Sequence, residues 1–404
     1  MKIYEIGTGY TSIPAKISAA TEIIIEQLTY AMIENGEDVT VIDIEDKNRK
    51  DSSLPIIEIK VPGFSDKTDT SLGIIHKVKR VLYSIAVAKK IKKILKSTKE
   101  KIVLHFHNQY NMFFFLKLTS AKEREKCICT YTNHSGVWTL NWEEAESIIK
   151  KRYFQEAECM KKADCLFVLN DKTKDTAINH LCVDADKIHL ISHGVNTEIY
   201  KPLTEEEITK AKAEQGLSDK RIILQVGSIN ENKGQKRALQ LLLPLIKENE
   251  NLVYAYAGGI VDENYQNDIL EFAKVNKIEN QVKYLGMIAP GKELNKVYNI
   301  ADATIVPSKF ESFCLVVIES FSAGVPVFLN EESSFSFSKK AILYSSENFE
   351  QVMKDAILDN KAKHKELKEE ARETAVNNYN WNAIAKQYTH DFDIYIENKQ
   401  AKRN

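Results

Sequence analysis

The stretch VPSKFESFCLVVIESFSAGVPVF, residues 306–328, decides how the rest of this chain is read. Glu311 and Glu319 stand in it eight residues apart. Leu315, Val316, Val317, Ile318 and Phe321 set Glu319 in an apolar run that reads as a buried helix. An unpaired carboxylate there costs several kcal/mol or takes up a proton, so Glu319 calls for hydrogen-bond donors. The two hydroxyls of a ribose supply them in a fork, and Glu311, in the loop before the helix, is placed to grip a second sugar. The free N–H groups near Leu315, at the positive end of the helix dipole, suit a phosphate or sugar hydroxyl beside Glu311. The plainer alternatives are a dipole-complementing acid at Glu311 and an ion pair with a distant base at Glu319.

Outward from this stretch, strand-length apolar runs alternate with helical patterns. Residues 3–6, 39–43, 102–107 and 165–169 read as strands, with a helix over 21–34 closing at Gly36. The rhythm restarts with strands at 222–226, 253–257 and 303–306 and helices from about 233 and over 263–274. Repeated strand–helix alternation predicts α/β domains built on parallel sheets. A chain of 404 residues with 43% apolar content exceeds one ordinary core, so two domains are expected. The segment from Gly194 to Pro202 supplies the hinge. In open parallel sheets, ligands lie beyond the carboxyl ends of strands, so residues just after strands are the candidates.

The 56 basic and 57 acidic residues leave a net charge of −1, so nothing global draws the chain to nucleic acid or a membrane. Six cysteines, Cys127 and Cys129 among them, form neither a disulfide framework nor a zinc pattern, which fits a reducing cytosol. The opening MKIYEIGTGY has no basic and apolar leader, and no apolar run approaches a membrane span, so a cytoplasmic protein is expected.

The string Glu311-Ser-Phe-Cys-Leu-Val-Val-Ile-Glu319, followed by Ser322-Ala-Gly324-Val-Pro326-Val, resembles the E-x7-E signature of glycosyltransferase family 4. The resemblance continues through Ile191-Ser-His-Gly194-Val-Asn196, Tyr200-Lys-Pro202, Val226-Gly227 with Lys233-Gly234, and Ala301-Asp302 before Val306-Pro307-Ser308. It implies a GT-B fold: two Rossmann-like domains with a cleft between them and a C-terminal crossover helix. On that reading, residues 1–196 form an acceptor domain, 197–378 a nucleotide-sugar domain, and 379–404 a helix crossing back to the first. It further implies a retaining hexosyltransferase that needs neither metal nor cofactor. The expected donor is a UDP-sugar and the acceptor a hydroxyl on a glycan, lipid-linked molecule or protein, in polysaccharide or glycoconjugate synthesis. In the family's motif the backbone at Phe313, Cys314 and Leu315 contacts the donor, and Cys314 occupies a position often held by glycine.

Lys233, in the loop that begins at Gly227 and Ser228, is positioned for a diphosphate to meet its ammonium together with backbone N–H groups. The family's arginine after the first glycine is replaced by Ser228, and Lys236 or Arg237 is available in its stead. His134 follows an apolar strand, and a family histidine at that place lies beside the reacting centre. His105 and His107 are weaker candidates, one of them expected in the core. The loop from Gly7 to a helix capped near Thr21 reads as a mobile edge, with Ala19-Ala20 replacing a glycine pair. Asp184-Ala-Asp186 and Asp391-Phe-Asp393 read as incidental rather than as metal sites. Residues 77–101 hold ten Lys or Arg against one acid, with Val78, Leu82, Ile85, Ile91 and Leu95 near helical spacing. That segment reads either as a peripheral contact with anionic lipid or as a core helix with a solvated basic face. Two other functions remain compatible with the sequence: a sugar-nucleotide epimerase and a non-catalytic sugar-nucleotide-binding subunit.

Overall fold

Apolar strands without polar alternation belong in the middle of parallel sheets, where helices cover both faces. The computed structural model, which describes residues 1–15, 19–64, 74–308, 310–331 and 340–401, contains two such sheets. The chain divides into Met1–Gly194 with Trp381–Asn404, and Val195–Asn380.

In the first unit, β1 (Lys2–Ile6), β2 (Asp38–Ile44), β3 (Ile56–Ile59), β4 (Ile102–Phe106), β5 (Cys127–Thr132), β6 (Cys165–Val168) and β7 (Ile188–Leu190) lie in the order 3-2-1-4-5-6-7. Every pairing is parallel. The order reverses between β1 and β4, and a ligand crevice in such sheets opens beyond the strand ends at that switch. Three of the seven strands, β1, β4 and β5, lead into Gly7, His107 and His134 there.

In the second unit, β8 (Arg221–Val226), β9 (Leu252–Ala257), β10 (Val282–Tyr284), β11 (Ala303–Val306), β12 (Val327–Asn330) and β13 (Ile342–Tyr344) run in the order 10-9-8-11-12-13, again all parallel. Its switch lies between β8 and β11, whose ends lead to Gly227 and Pro307. Both units are Rossmann-like.

The helix Ile74–Ser97 buries Tyr83, Val87, Ala88, Ile91 and Leu95 in the first unit's core. Val78 and Leu82 stay outside, 48% and 43% exposed, among exposed Lys77, Lys89, Lys93 and Lys96. Its cations are not all solvated. Lys79 and Arg80 turn inward, Lys79 Nζ donating to Tyr10 O at 2.8 Å and Arg80 to the Tyr10 hydroxyl. The last helix, Trp381–Ala401, belongs to the first unit and seats Tyr388 and Phe392 against Phe167. It begins two residues after Tyr379, because Tyr379 ends the preceding helix Lys361–Asn378.

Two features of the N-terminal loop differ from the sequence reading. The helix Ala20–Glu34 starts from Ala19 with no side-chain cap, and Thr21 sits inside its first turn. The described part of the loop is anchored rather than loose. Tyr83 Oη and Asn111 Nδ2 donate to Gly7 O at 3.0 and 2.8 Å, and Thr8 donates to buried Glu22. Residues 16–18 of that loop lie outside the described residues.

Candidate active site

The loop after β8 brings backbone, lysine and carboxylate together. Gly227 N donates to Ala257 O at 2.9 Å, and a Cβ on Gly258 would lie 1.9 Å from Gly227 O, so only glycine admits this approach. Gly234, at φ 73°, opens the helix Gln235–Glu248, and a Cβ there would meet Pro307 O at 2.9 Å. The loop is latched by its own amides. Asn230 Nδ2 donates to Ser228 Oγ at 2.9 Å, Gln235 Nε2 to Ser228 O at 3.0 Å, and Gln225 Nε2 to Lys233 O at 2.7 Å. These bonds fold Lys233 back so that its stem lies 3.5 Å from where a Gly227 Cβ would stand.

Lys233 Nζ reaches across 78 residues of sequence to donate to Glu311 Oε1, and the two side chains keep only 25% and 14% of their exposure. Burial lowers the lysine's pKa, but the Glu311 carboxylate outweighs it and holds the group above its ordinary value. Lys233 therefore stays charged.

Glu311 leads into Cys314, which takes the left-handed conformation, φ 68°, at the cap of the helix Leu315–Ser322. That conformation accounts for glycine's suitability at this position, since any Cβ there is strained. Burial, and then the Glu311 carboxylate, push the Cys314 thiol up to about 12, so it carries no thiolate at neutral pH. Phe313 is buried and Leu315 half-buried. Glu319, one and a half turns along, is half-buried and accepts from Tyr298 Oη at 2.8 Å. Burial raises its carboxyl to about 7, although hydroxyls of Tyr298 and Tyr200 bond to it and pull the other way. Its partners among the described residues are these tyrosines rather than a cation. Tyr298 was missed by sequence reasoning, because nothing in its spacing distinguishes it from a core aromatic, and Tyr200, quoted within the motif Tyr200-Lys-Pro202, was not read as a partner of Glu319.

Neither substitute for the absent arginine is idle. Lys236 Nζ lies 3.5 Å from Asp268 on the next helix, and Arg237 donates to Pro307 O.

In the first unit, His134 joins a chain of buried polar groups. Its Nε2 is 3.0 Å from His107 Nδ1, and His107 Nε2 is 2.7 Å from Glu5 Oε2. Glu5 Oε1 lies 2.9 Å from His105 Nδ1, and His105 Nε2 2.7 Å from Thr132 Oγ1. His105 and His107 are thus both buried, where one alone was expected in the core, because residues two apart on a strand share a face. His193 stacks on His134 with ring centroids 5.2 Å apart. Buried Glu156 holds the His134 loop from both sides, accepting from Tyr131 Oη, Ser135 Oγ and Trp138 Nε1 at 2.7, 2.9 and 2.7 Å. Glu5 was missed, yet a lone acid inside the strand IYEI was a legible signal.

Among the described residues, Glu5, His105 and His107 form the one group whose nitrogen and carboxylate atoms, within 4.8 Å of one another, have metal-ligand chemistry. Their short contacts leave each carboxylate oxygen facing an imidazole nitrogen at hydrogen-bond distance. Asp184 pairs with Lys187 at 3.5 Å, and Asp391 with His189 at 3.1 Å. No described helix is long and apolar enough to cross a membrane.

Residues 207–374 match the family described as glycosyl transferases group 1, and residues 21–199 match glycosyltransferase family 4. The alpha-galactosylglucosyldiacylglycerol synthase of Streptococcus pneumoniae is 28% identical over 200 residues, 47% of this chain and 50% of that protein. The chain thus spans about half the length of the curated relatives it first matches. Sucrose-phosphate synthase from Thermosynechococcus elongatus shares the fold with TM-score 0.73 at 20% identity, covering 97% of this chain and 98% of that one. Anabaena HepE in complex with UDP and glucose aligns with TM-score 0.68 at 14% identity over 97% and 99%. The architecture of the two units is that of GT-B.

Proposed function

We propose that the chain, which matches glycosyltransferase family 4 over residues 21–199 and glycosyl transferases group 1 over residues 207–374, transfers a hexose-type sugar from a UDP-sugar to a hydroxyl acceptor, with retention of anomeric configuration and without a metal. The observation that carries this reading is the Lys233–Glu311 ion pair, which joins the loops that follow β8 and β11 at the switch point of a parallel sheet. A diphosphate needs the ammonium and free N–H groups of such a loop, and a sugar needs a carboxylate beside them. HepE, which shares the fold, is described with UDP and glucose.

On this proposal Glu319 accepts both ribose hydroxyls, exchanging the tyrosine hydroxyls that it holds in the free protein. Lys233 and the N–H groups at Cys314 and Leu315 stabilise the departing diphosphate, and Glu311 orients the sugar. His134 contacts the acceptor hydroxyl. Charge develops on the leaving diphosphate as the glycosidic bond breaks, so a fixed cation there stabilises the transition state more than the ground state. No side chain is assigned as a covalent nucleophile, and on this proposal the acceptor attacks on the same face, guided by the leaving group.

The exposed Val78 and Leu82 beside Lys77, Lys89, Lys93 and Lys96 support a cytoplasmic protein that touches an anionic membrane and takes a lipid-linked acceptor. Release of UDP from UDP-glucose by the isolated chain, in excess EDTA, tests the enzyme reading against that of a binding-only subunit. Nucleotide binding without turnover on any UDP-sugar would favour the subunit. Co-sedimentation with phosphatidylglycerol vesicles, weakened by Val78→Ser with Leu82→Ser, tests the membrane contact.

A further inference from the structure

We infer that Glu5 and His107 are positioning residues that fix the tautomer of His134, leaving its Nδ1 as an unprotonated acceptor for the hydroxyl of the incoming substrate. This rests on the proposed place of His134 beside the acceptor, and it adds what holds that ring in a usable state.

The argument runs along the hydrogen bonds. An ionised carboxylate only accepts, so the His107 nitrogen 2.7 Å from Glu5 Oε2, Nε2, carries the proton. A neutral imidazole has one N–H, which makes His107 Nδ1 an acceptor. The atom 3.0 Å from it is His134 Nε2, which must then be the donor. His134 has spent its single proton, and Nδ1 is left with its lone pair.

Each link requires a neutral ring beside a charged carboxylate, and the surroundings provide both. Burial opposes ionisation of Glu5, but His105 and His107 outweigh it and hold the carboxyl down at about 2. Burial also pulls His107 down to about 4, with His105 adding to the effect. His134 is lowered well below its ordinary value by burial and then by His107, His193 and His105. So depressed a ring does not store a proton. It accepts a hydrogen bond from the hydroxyl and so raises the electron density on that oxygen.

Glu5 is 0% exposed in the interior of β1, where an apolar residue would pack at lower cost. Its second oxygen is occupied by His105, which is braced by Thr132 Oγ1, with Tyr388 Oη 3.3 Å beyond. The carboxylate is thus held from both sides. This is the arrangement in which a buried acid sets an imidazole's tautomer and orientation rather than taking its proton.

The test uses the full chain with 15N-labelled histidine. His134 is identified among the nine histidines as the signal missing from His134→Gln. The nitrogen shifts should show Nε2 protonated and Nδ1 free on both His107 and His134, with a coupling across the N–H···N bond between them. A proton on Nδ1 of either ring would overturn the inference, whatever the enzyme's activity. His107→Phe should lower the rate of UDP release from UDP-glucose by at least about tenfold with KM unchanged. Adding His134→Gln to it should cost nothing more, since the two act as one unit. If His134→Gln alone leaves the rate at the wild-type value, the placing of His134 at the acceptor fails. If that variant is slow while His107→Phe is fast, the proposed positioning fails instead.

Discussion

Glu311→Gln should tighten UDP binding while loosening the hold on the sugar. In the free protein the Lys233 ammonium is neutralised by Glu311, so an arriving diphosphate must draw the lysine away from a carboxylate. The two side chains retain 25% and 14% of their exposure, which places the pair between two limits. Fully exposed pairs are worth about 0.2–1 kcal/mol. Two charges 4 Å apart at an effective dielectric of 20 attract by about 4 kcal/mol before desolvation is subtracted. About 1 kcal/mol is a reasonable net value, and removing that competition should tighten UDP about fivefold. With UDP-glucose the same change deletes a charge-assisted bond to a sugar hydroxyl, worth about 1.5–3 kcal/mol. The advantage of the sugar nucleotide over UDP should therefore shrink by about 10- to 150-fold. Titration calorimetry of both ligands on wild type and variant measures each figure. Unchanged or weaker UDP binding in Glu311→Gln would mean that Lys233 does not exchange Glu311 for a phosphate, and the donor assignment would fall.

Lys233→Ala should weaken UDP binding by about 1–3 kcal/mol, whereas Ser228→Arg should strengthen it, because Lys236 and Arg237 already hold Asp268 and Pro307; calorimetry decides, and a loss in Ser228→Arg would show that the place is filled. UDP-glucose affinity should rise with pH through about 7, since Glu319 is raised to that value by burial and must ionise to accept two hydroxyls, and in Glu319→Gln the dependence should vanish. Glu22, raised to about 7 chiefly by burial, keeps its proton in the folded chain over a range where the unfolded carboxyl has lost it. Stability should accordingly fall by about 3 kcal/mol as pH rises from 4.5 to 7, and in thermal melts Glu22→Gln should gain on wild type at pH 8 but not at pH 4.

What the sequence made legible follows from which signals are local. The parallel sheets could be read because fully buried strands leave uninterrupted apolar runs, and Gly227, Lys233, Glu311 and Glu319 could be read because loop and helix chemistry is written in short spacings. The Lys233–Glu311 contact was beyond that reach. It depends on β8 and β11 becoming neighbours although they are separated by two intervening strands in sequence, a pairing fixed by topology. The same holds for Glu5, His107 and His134, which come from β1 and the ends of β4 and β5, adjacent only once the sheet order reverses. The left-handed backbone at Cys314 was hinted at by glycine's place in the family motif but carried no mark in this sequence. The basic segment was ambiguous for a different reason. Its helix serves both readings, since Ile91 and Leu95 enter the core while Val78 and Leu82 remain outside, and a charge count cannot tell that Lys79 and Arg80 turn inward to hold Tyr10. In both units, then, residue types announce the chemistry and the switch point of the sheet decides which of them meet. A substitution that left every motif intact but moved β1 against β4 by one residue would turn Glu5 to the opposite face and uncouple His134 from its support.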